Sequence, residues 1–294
     1  MLGEVLTAIV TPFRADGSVD LDAFRELANH LVDHGSDGLV VSGTTGESPT
    51  LSDEEKLDLY AAAVEAVGDR ATVIAGTGTY STAHSVHLTE RAHELGVDGF
   101  LVVTPYYSKP PQRAIVRHVE EIAAATDKPI VYYNIPSRVV VDVVPETMAR
   151  LAEIENVVAV KQAHDDLDEA RFIAEETRLD LYSGDDPITL DFLDVGGVGV
   201  VSVTAHLWGE RIRELIRRHR AGDAEGARAL HEELRPSYEL LKIQTNPIPI
   251  KAALELTGHG TARYRLPMVE PDATELAAIR SCLERAGLLA AASA

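Results

Sequence analysis

Short apolar runs rich in β-branched residues recur along the chain at intervals of roughly 20 to 35 residues. A segment with apolar residues at helical spacing follows each run, and this alternation is typical of βα units that build a parallel sheet. Eight such units predict a closed (β/α)8 TIM barrel. The predicted strands span residues 6–13, 38–43, 71–78, 99–105, 129–136, 157–163, 179–184 and 199–205.

An open doubly wound sheet is the alternative fold for this alternation, and it normally carries a glycine-rich phosphate loop after one of its strands. No segment of the sequence matches the dinucleotide-binding or the P-loop pattern. The segment from Gly76 to Thr79 has two glycines but lacks the third. The closed barrel is therefore the preferred prediction.

Predicted helices lie between the strands, for example at 52–67, 81–95 and 145–154. The start of the first is the clearest, because Ser52 and Glu55 form the sequence pattern of a capping box. The chain continues for roughly 90 residues beyond the eighth strand, which is far more than one closing helix needs. Helical spacing predicts four further helices, at 207–220, 224–241, 249–256 and 273–286. We therefore predict a barrel at 1–222 and a C-terminal helical appendage at 223–294.

The charge balance excludes several classes of partner. The chain has 27 basic and 47 acidic residues, and its formal net charge of −20 disfavours nucleic acid and anionic membranes. Cys282 is the one cysteine, so an intrachain disulfide is impossible and an oxidising compartment is not indicated. No apolar run approaches the ~20 residues of a membrane span, and no signal-peptide pattern is present, so a cytoplasmic protein is expected.

Lys161 is the most unusual residue of the predicted strands, because it interrupts an apolar run that extends from Val157 to Ala163. The other five lysines of the chain lie in predicted helices or turns, where an ammonium group reaches water. Burial disfavours the charged form and lowers the pKa of a lysine, which makes it a nucleophile able to form an imine with a ketone. The alternative is a strand-end lysine that reaches solvent or pairs with a buried carboxylate.

The carboxyl ends of barrel strands meet at one face, so we expect the polar residues that follow the strands to converge there. After the second strand, Thr44 and Thr45 stand between glycines, and their hydroxyl and backbone N–H groups are suited to binding a small carboxylate. The alternative for this segment is a tight turn in which the threonines bond to backbone.

Tyrosine pairs follow the fourth and fifth strands. Tyr106 and Tyr107 stand in a proline-rich turn, where packing at the core edge or at a subunit interface is the alternative to catalysis. Tyr132 and Tyr133 point to opposite sides of the barrel wall because side chains alternate along a strand. One of them must face inward, and an inward phenol near Lys161 is suited to moving protons.

Arg138 follows the fifth strand and is suited to holding a carboxylate with two hydrogen bonds, with a surface salt bridge as the alternative. A lysine, a tyrosine, hydroxyls and an arginine at one barrel mouth favour the catalytic interpretation of all four. Two histidine pairs, His30 with His34 and His84 with His87, have helical spacing, but neither lies in a metal-binding motif. No metal and no cofactor are predicted.

At these residues the sequence resembles the dihydrodipicolinate synthase branch of the pyruvate-dependent class I aldolases, a family that also contains N-acetylneuraminate lyase. The resemblance covers nearly the whole chain. The motifs that carry it are Gly43-Thr44-Thr45-Gly46-Glu47-Ser48, Thr104-Pro105-Tyr106-Tyr107, Tyr133-Asn134-Ile135-Pro136-Ser137-Arg138, Val160-Lys161, Ser183-Gly184-Asp185-Asp186 and Asn246-Pro247-Ile248-Pro249.

The resemblance implies a role for each of the candidate residues. Lys161 would form the Schiff base with pyruvate, and Tyr133 would donate and accept protons at the imine. Thr44 and Tyr107 would complete a proton relay, with Tyr107 supplied by a neighbouring subunit. The remaining four would bind substrate: Thr45 and the backbone around Val201 would hold pyruvate, Arg138 would hold the carboxylate of aspartate semialdehyde, and Gly184 would line the site.

The implied activity is that of a lyase of lysine and diaminopimelate biosynthesis, which condenses pyruvate with L-aspartate 4-semialdehyde to 4-hydroxy-tetrahydrodipicolinate. Arg138 favours this activity, because sialic acid and sugar-acid aldolases of the family usually lack arginine there. The alternatives are another pyruvate-dependent aldolase or sugar-acid dehydratase, or a non-catalytic regulator that binds a keto acid. The resemblance also implies a homotetramer built as a dimer of dimers.

The sequence departs from the family pattern at several positions. Val139 and Val140 replace small, polar residues after the arginine, and Gln162 stands where an acidic residue commonly follows the lysine; these changes bear on the aldehyde accepted. Where feedback-inhibited relatives bind lysine, His84 replaces an acidic residue and Lys56 adds a cation. Like charge disfavours binding of a lysine ammonium, so weak or absent lysine inhibition is expected.

Overall fold

Eight parallel strands close into a barrel in the computed structural model, which describes residues 2–290. Neighbouring strands in the sequence are neighbours in the barrel, and the last pairs with the first. The predicted (β/α)8 fold is confirmed. The strands are β1 Val5–Ala8, β2 Gly38–Val41, β3 Thr72–Gly76, β4 Gly99–Val103, β5 Ile130–Asn134, β6 Val157–Gln162, β7 Asp180–Ser183 and β8 Gly199–Ser202.

Helices surround the barrel, and several follow the eighth strand. Those between the strands are α1 Leu21–Asp33, α2 Asp53–Val67, α3 Thr82–Glu94, α4 Gln112–Ala123, α5 Pro136–Val139, α6 Pro145–Ala152, α7 Leu167–Glu176 and α8 Thr189–Asp194. Those after β8 are α9 Ala205–Arg220, α10 Ala224–Glu233, α11 Arg235–Leu241, α12 Ile248–Leu256 and α13 Ala273–Arg285. In the described part of the chain, no helix combines the length and apolar character needed to cross a bilayer.

The strands end earlier than the sequence pattern predicts. β1 stops at Ala8 and β2 at Val41, because the residues that follow leave the ladder to form loops at the barrel mouth. Side-chain alternation on β5 is as predicted: Tyr132 packs in the layer between sheet and helices, whereas Tyr133 packs among the residues of the barrel interior. This alternation decides which residues face the site.

The predicted capping box is present, with the Ser52 side chain accepting from the Glu55 N–H and the Glu55 carboxylate accepting from the Ser52 N–H. The single helix predicted at 224–241 is wrong, because the chain forms two helices that meet at Leu234. Pro236 explains the break, since proline has no N–H and disfavours a helix interior.

The helices after β8 share a core with the barrel. Trp208 and Ile212 on α9 pack in one hydrophobic cluster with Leu230 on α10 and Ile279 on α13. The same cluster contains Val5 of β1. The segment between α11 and α12 returns over the barrel mouth, where Asn246 donates a hydrogen bond to Thr45. The C-terminal region therefore helps to build the site that the barrel carries.

Candidate active site

Lys161 lies inside the barrel near the carboxyl end of β6, in register with Tyr133 on β5 and Tyr182 on β7. Its side chain is buried, and Nζ lies 4.3 Å from the centre of the Tyr133 ring. Among the described residues, no carboxylate lies within salt-bridge distance of Lys161. Burial lowers the pKa of Lys161 to about 8, although the carboxylates of Asp186 and Asp185 oppose the shift. A neutral amine in such a position is a nucleophile.

Tyr133 is the predicted inward phenol, and it lies against Lys161 and Thr44. Burial raises the pKa of Tyr133 to about 12, and both the positive charge of Arg138 and a hydrogen bond with the Thr44 side chain oppose that shift. The phenol is therefore protonated at neutral pH. A protonated phenol beside a neutral amine can donate a proton to a bound molecule and take one back.

The 43–48 segment is a tight turn and a polar surface at once. The N–H groups of Gly46, Glu47 and Ser48 donate to carbonyls of Gly43 and Thr44, so the tight turn is present, but it is closed by backbone bonds and not by the threonine hydroxyls. The N–H groups of Thr44 and Thr45 take no part in these turn bonds. Two successive N–H groups and two hydroxyls thus remain at the barrel mouth, an arrangement that binds anions.

Two adjoining cavities open at the barrel mouth and meet at Thr44 and Tyr133. The cavity of about 270 Å³ contains Lys161. The other, of about 210 Å³, extends towards Ser48 and Tyr106. Six of the predicted site residues line the first cavity, and these are Thr44, Thr45, Tyr133, Arg138, Lys161 and Gly184. The polar residues predicted to converge do so.

Arg138 lines both cavities from the short helix α5, and its Nη2 lies 3.4 Å from Thr245 Oγ1. The side chain is accessible, so the guanidinium is free to bind an incoming anion at the cavity wall. Val139 is buried and lines the smaller cavity, whereas Val140 is 65% exposed and lines neither. Of the two valines that depart from the family pattern, only Val139 can alter the shape of the pocket.

Gly184 permits the close approach of β7 to β6. A Cβ at this position would lie 2.7 Å from the Ala163 Cβ and 2.9 Å from the Gln162 carbonyl oxygen. The Gly184 N–H donates to that same carbonyl. Any side chain here would push the strands apart beside Lys161, so glycine is required at this position.

Two aspartates after β7 belong to the site, although in the sequence they stood out only as part of a motif. Asp185 lines the cavity of Lys161, and burial raises the pKa of its carboxyl group, with the nearby Asp186 adding to the effect. Asp186 is buried, and its carboxylate accepts hydrogen bonds from the N–H groups of Val203 and Thr204 and from the Thr204 hydroxyl. Asp186 therefore fixes the loop after β8, and Val203 of that loop lines the cavity.

Residues from the C-terminal region also reach the site. Asn246 donates a hydrogen bond of 2.8 Å from Nδ2 to Thr45 Oγ1, and with Gln244, Thr245 and Leu241 it lines the cavity that contains Lys161. Sequence reasoning assigned none of them a role, since their distance along the chain hides the contact. The motif at Asn246 and Pro247 was the one available signal.

Two predicted site residues lie outside the cavities of the described chain. Val201 on β8 is buried among the residues of the barrel interior, and Val203 lines the cavity instead. Tyr107 has a left-handed backbone with φ 72°, and its side chain is 93% exposed. Its neighbour Tyr106 packs edge to face against Tyr80, with ring centres 5.5 Å apart. The roles given to Val201 and Tyr107 stay predictions.

Comparisons with known proteins agree with this site. The sequence profile of the Dihydrodipicolinate synthetase family matches residues 1–286. A curated 4-hydroxy-tetrahydrodipicolinate synthase from Moorella thermoacetica is 52% identical over 289 residues, which cover 98% of this chain and 99% of the relative.

Solved structures also match this chain closely in fold. A lysine-bound DHDPS from Cyanidioschyzon merolae is 41% identical and has a TM-score of 0.96, with 98% of this chain and 99% of that chain covered. A dihydrodipicolinate synthase from Acinetobacter baumannii, complexed with pyruvate, is 35% identical with a TM-score of 0.95, covering 98% of this chain and all of that one. The match extends from the barrel through the C-terminal helices, and the chain belongs to the dihydrodipicolinate synthetase family.

Proposed function

We propose that this chain is a lyase that condenses pyruvate with L-aspartate 4-semialdehyde to give 4-hydroxy-tetrahydrodipicolinate, a step of lysine and diaminopimelate biosynthesis. The observation that carries the proposal is a buried lysine of lowered pKa against a protonated tyrosine at the barrel mouth. Curated relatives with this activity, about half identical over nearly the whole chain, support it.

The reaction begins at Lys161. Its neutral amine attacks the ketone carbon of pyruvate, and the resulting carbinolamine loses water to form an imine. Tyr133 protonates the departing hydroxyl, which a phenol of pKa about 12 can do because it holds its proton at neutral pH. The imine then withdraws electrons from the adjacent methyl group.

Tyr133, left as a phenolate after it protonates the departing hydroxyl, accepts a methyl proton with Thr44 as a relay, which gives the enamine; this proton then neutralises the alkoxide that forms in the next step. The enamine carbon attacks the aldehyde carbon of the second substrate and forms the new carbon–carbon bond. The amine of that substrate then displaces Lys161 from the imine, which closes the ring and frees the lysine for another turnover. The chemistry requires no cofactor, and the water released in the first step balances the condensation.

Two anion sites hold the substrates. The N–H and hydroxyl groups of Thr44 and Thr45, which line the cavity of Lys161 together with Gly184, hold the pyruvate carboxylate. The backbone around Val201 is a further part of this site in our proposal, although Val201 itself does not line the cavity. Arg138 holds the carboxylate of aspartate semialdehyde from the rim of the same cavity. A net charge of −20 gives no long-range attraction for these anions, so the local cation and N–H groups supply the affinity.

The functional unit that we propose is a cytoplasmic homotetramer, in which Tyr107 of one subunit completes the proton relay of its neighbour. The exposure of Tyr107 in the isolated chain is what such an exchange requires. Within each chain, we propose that residues 1–222 form the catalytic barrel and residues 223–294 the helical region, with residues 1 and 291–294 of these ranges outside the described part of the chain. Gly222, in a left-handed conformation between α9 and α10, marks the boundary.

Borohydride trapping tests the proposal. Pyruvate is added to the full-length protein, the imine is reduced, and the modified peptide is identified by mass spectrometry, with turnover of aspartate semialdehyde measured in the same preparation. We expect an adduct on Lys161, none on the equally buried Lys56 and Lys251, and turnover. An adduct without turnover would favour another aldolase, a dehydratase or a keto-acid-binding regulator. Folded protein without an adduct would contradict the Schiff base.

A further inference from the structure

A polar cluster lies on the outer face of the barrel wall, behind the catalytic residues. We name Asn134, Asp142, Gln162, His164 and Glu169 the outer-wall cluster. Asn134 and Gln162 are paired in the register of β5 and β6. Each directly follows a residue of the active site, Tyr133 or Lys161, and alternation along the strands directs it to the opposite face.

Three of these residues bring metal-ligating atoms together. Ligand atoms of Asp142, His164 and Glu169 all lie within 4.8 Å of one another. His164 Nε2 is 2.8 Å from Glu169 Oε2 and 3.7 Å from Asp142 Oδ1. Two ligands of a tetrahedral zinc ion, each at about 2.0 to 2.2 Å from the metal, lie roughly 3.3 to 3.5 Å apart. The observed separations bracket that value, so small side-chain movements suffice.

The cluster also contains three buried acceptor oxygens without a hydrogen-bond donor among the described residues. Asn134 Oδ1, Gln162 Oε1 and Glu169 Oε1 are buried, and none of them accepts a hydrogen bond from any residue between 2 and 290. All three residues are more than nine-tenths buried. Buried acceptors without a partner are costly, and most in folded proteins are satisfied. Three in one cluster indicate that a hydrogen-bond donor or a cation is missing there.

The ring hydrogen of His164 cannot supply a donor to all of these buried oxygens. The Asp166 N–H donates to His164 Nδ1, so in the neutral ring Nε2 carries the hydrogen and donates it to Glu169. The Gln162 amide nitrogen lies 2.5 Å from that same Nε2, where one donor meets another. Rotation of the amide by 180° would place Oε1 beside this Nε2, where it can accept the ring hydrogen, but Asn134 Oδ1 and Glu169 Oε1 would still lack a donor. A metal ion on Nε2 would then have a nitrogen and three oxygens around it.

The cluster is open to solvent on one side. A cleft lined by Asp142, Asp166, Asp168 and Glu169 leads to it, and no lysine or arginine is among the described residues that line the cleft. Asp142 stands at its mouth with a side chain that is 58% exposed. A cleft lined by negatively charged carboxylates raises the local concentration of cations.

We propose that the outer-wall cluster binds one divalent transition-metal ion per chain, with His164, Glu169 and Asp142 as ligands and Gln162 as the fourth. Nitrogen and carboxylate oxygen in a four-ligand set suit zinc. The ion would tie the loop after α5 to β6 and α7 from the outside. Its role is structural, because the barrel wall separates it from Lys161 and Tyr133, and it takes no part in the proposed condensation.

Cobalt and zinc titrations of the full-length, chelator-treated protein test this site. Co²⁺ in a tetrahedral site absorbs visible light, so we expect one spectroscopic site per chain that Zn²⁺ displaces, and a higher melting temperature with either metal. His164→Ala should lose the absorption and the thermal shift. Asp168→Asn is the matched control, since Asp168 lines the same cleft but is exposed, and it should retain both.

Gln162→Glu provides a second variant that does not depend on loss of function. It adds a negative charge at the fourth ligand position, so we expect zinc affinity to rise by at least tenfold. An absence of Co²⁺ absorption in the wild-type protein would overturn the proposal. So would absorption that His164→Ala leaves intact, or a zinc affinity that Gln162→Glu leaves unchanged, because the metal would then bind elsewhere. The trapping of pyruvate on Lys161 is independent of either outcome.

Discussion

Three buried lysines in this chain show how context decides the chemistry of one residue type. Lys251 donates to Glu47 and to the Thr11 carbonyl, and Lys56 lies 3.8 Å from Asp53, so both ammonium groups have anionic partners. Lys161 has no carboxylate at such a distance among the described residues. The lowering of its pKa by burial is therefore opposed only by the more distant Asp186 and Asp185. Burial alone therefore does not identify the nucleophile, whereas burial without a paired carboxylate does.

The pH dependence of imine formation follows from the lowered pKa of Lys161. Only the neutral amine attacks pyruvate, so the rate should rise about tenfold per pH unit below pH 8 and level off above it. The measurement is the rate of borohydride trapping at low pyruvate concentration between pH 6 and pH 10. A rate that still rises about tenfold per pH unit from pH 8 to pH 10 would indicate an ordinary lysine pKa and contradict the site as described.

At the level of the elements, the sequence predicted the order and number of the strands, because apolar runs and helical spacing are local signals. It also predicted that Tyr132 and Tyr133 face opposite ways. Prediction from the sequence failed for features that depend on contacts between distant parts of the chain or on loops at the barrel mouth. The strand ends were placed too late because loop residues at the mouth are themselves apolar or small, and the contribution of Asn246 depends on a contact with Thr45 across 201 positions.

A contact between helices α2 and α3 bears on feedback inhibition. His84 Nε2 lies 2.9 Å from both oxygens of the Asp53 carboxylate, and Lys56 lies 3.8 Å from it. An acidic side chain at position 84 would instead be available to an effector's ammonium group. The Asp53 carboxylate is already hydrogen-bonded to His84 and paired with Lys56, so it is less available to a free lysine.

Weak or absent inhibition by lysine is therefore expected, with less than half of the turnover lost at millimolar lysine. The measurement is turnover against lysine concentration for the wild type and for His84→Glu, which restores an acidic group. The variant should become more sensitive than the wild type. Strong inhibition of the wild type at micromolar lysine would show that the exchange at position 84 does not weaken the site.

At the scale of the whole molecule, a buried ion pair ties the C-terminal helices to the catalytic loop. Lys251 on α12 and Glu47 after β2 are both 1% exposed in their side chains, with Nζ 2.6 Å from Oε1. Glu47 has a left-handed backbone with φ 55°, and its other oxygen accepts from the Arg265 N–H. The turn that presents Thr44 and Thr45 is thus held from outside the barrel.

Lys251→Met should destabilise the protein by about 3 to 5 kcal/mol, because it leaves the Glu47 carboxylate buried without its cation. Glu47→Gln combined with Lys251→Met should recover most of that loss, since no buried charge remains. The measurement is unfolding in urea. Arg211→Met is the control, as its pair with Glu233 is exposed and should contribute less than about 1 kcal/mol. If the single and the double variant lose the same free energy of unfolding, the loss comes from packing and not from the unpaired charge.

The role proposed for Tyr107 depends on a second copy of the chain. Tyr107 is 93% exposed and lines neither cavity of its own chain. If a neighbouring subunit receives it, removal of its hydroxyl should lower kcat at least tenfold while the melting temperature stays within about 2 °C. Tyr80→Phe is the matched control, because Tyr80 is also exposed and its substitution should leave kcat unchanged.

A mixed tetramer of Tyr107→Phe and Lys161→Met subunits should regain part of the activity, since some sites then combine an intact lysine with a tyrosine from the other subunit. No recovery on mixing, with tetramers verified by light scattering, would place the relay within one chain.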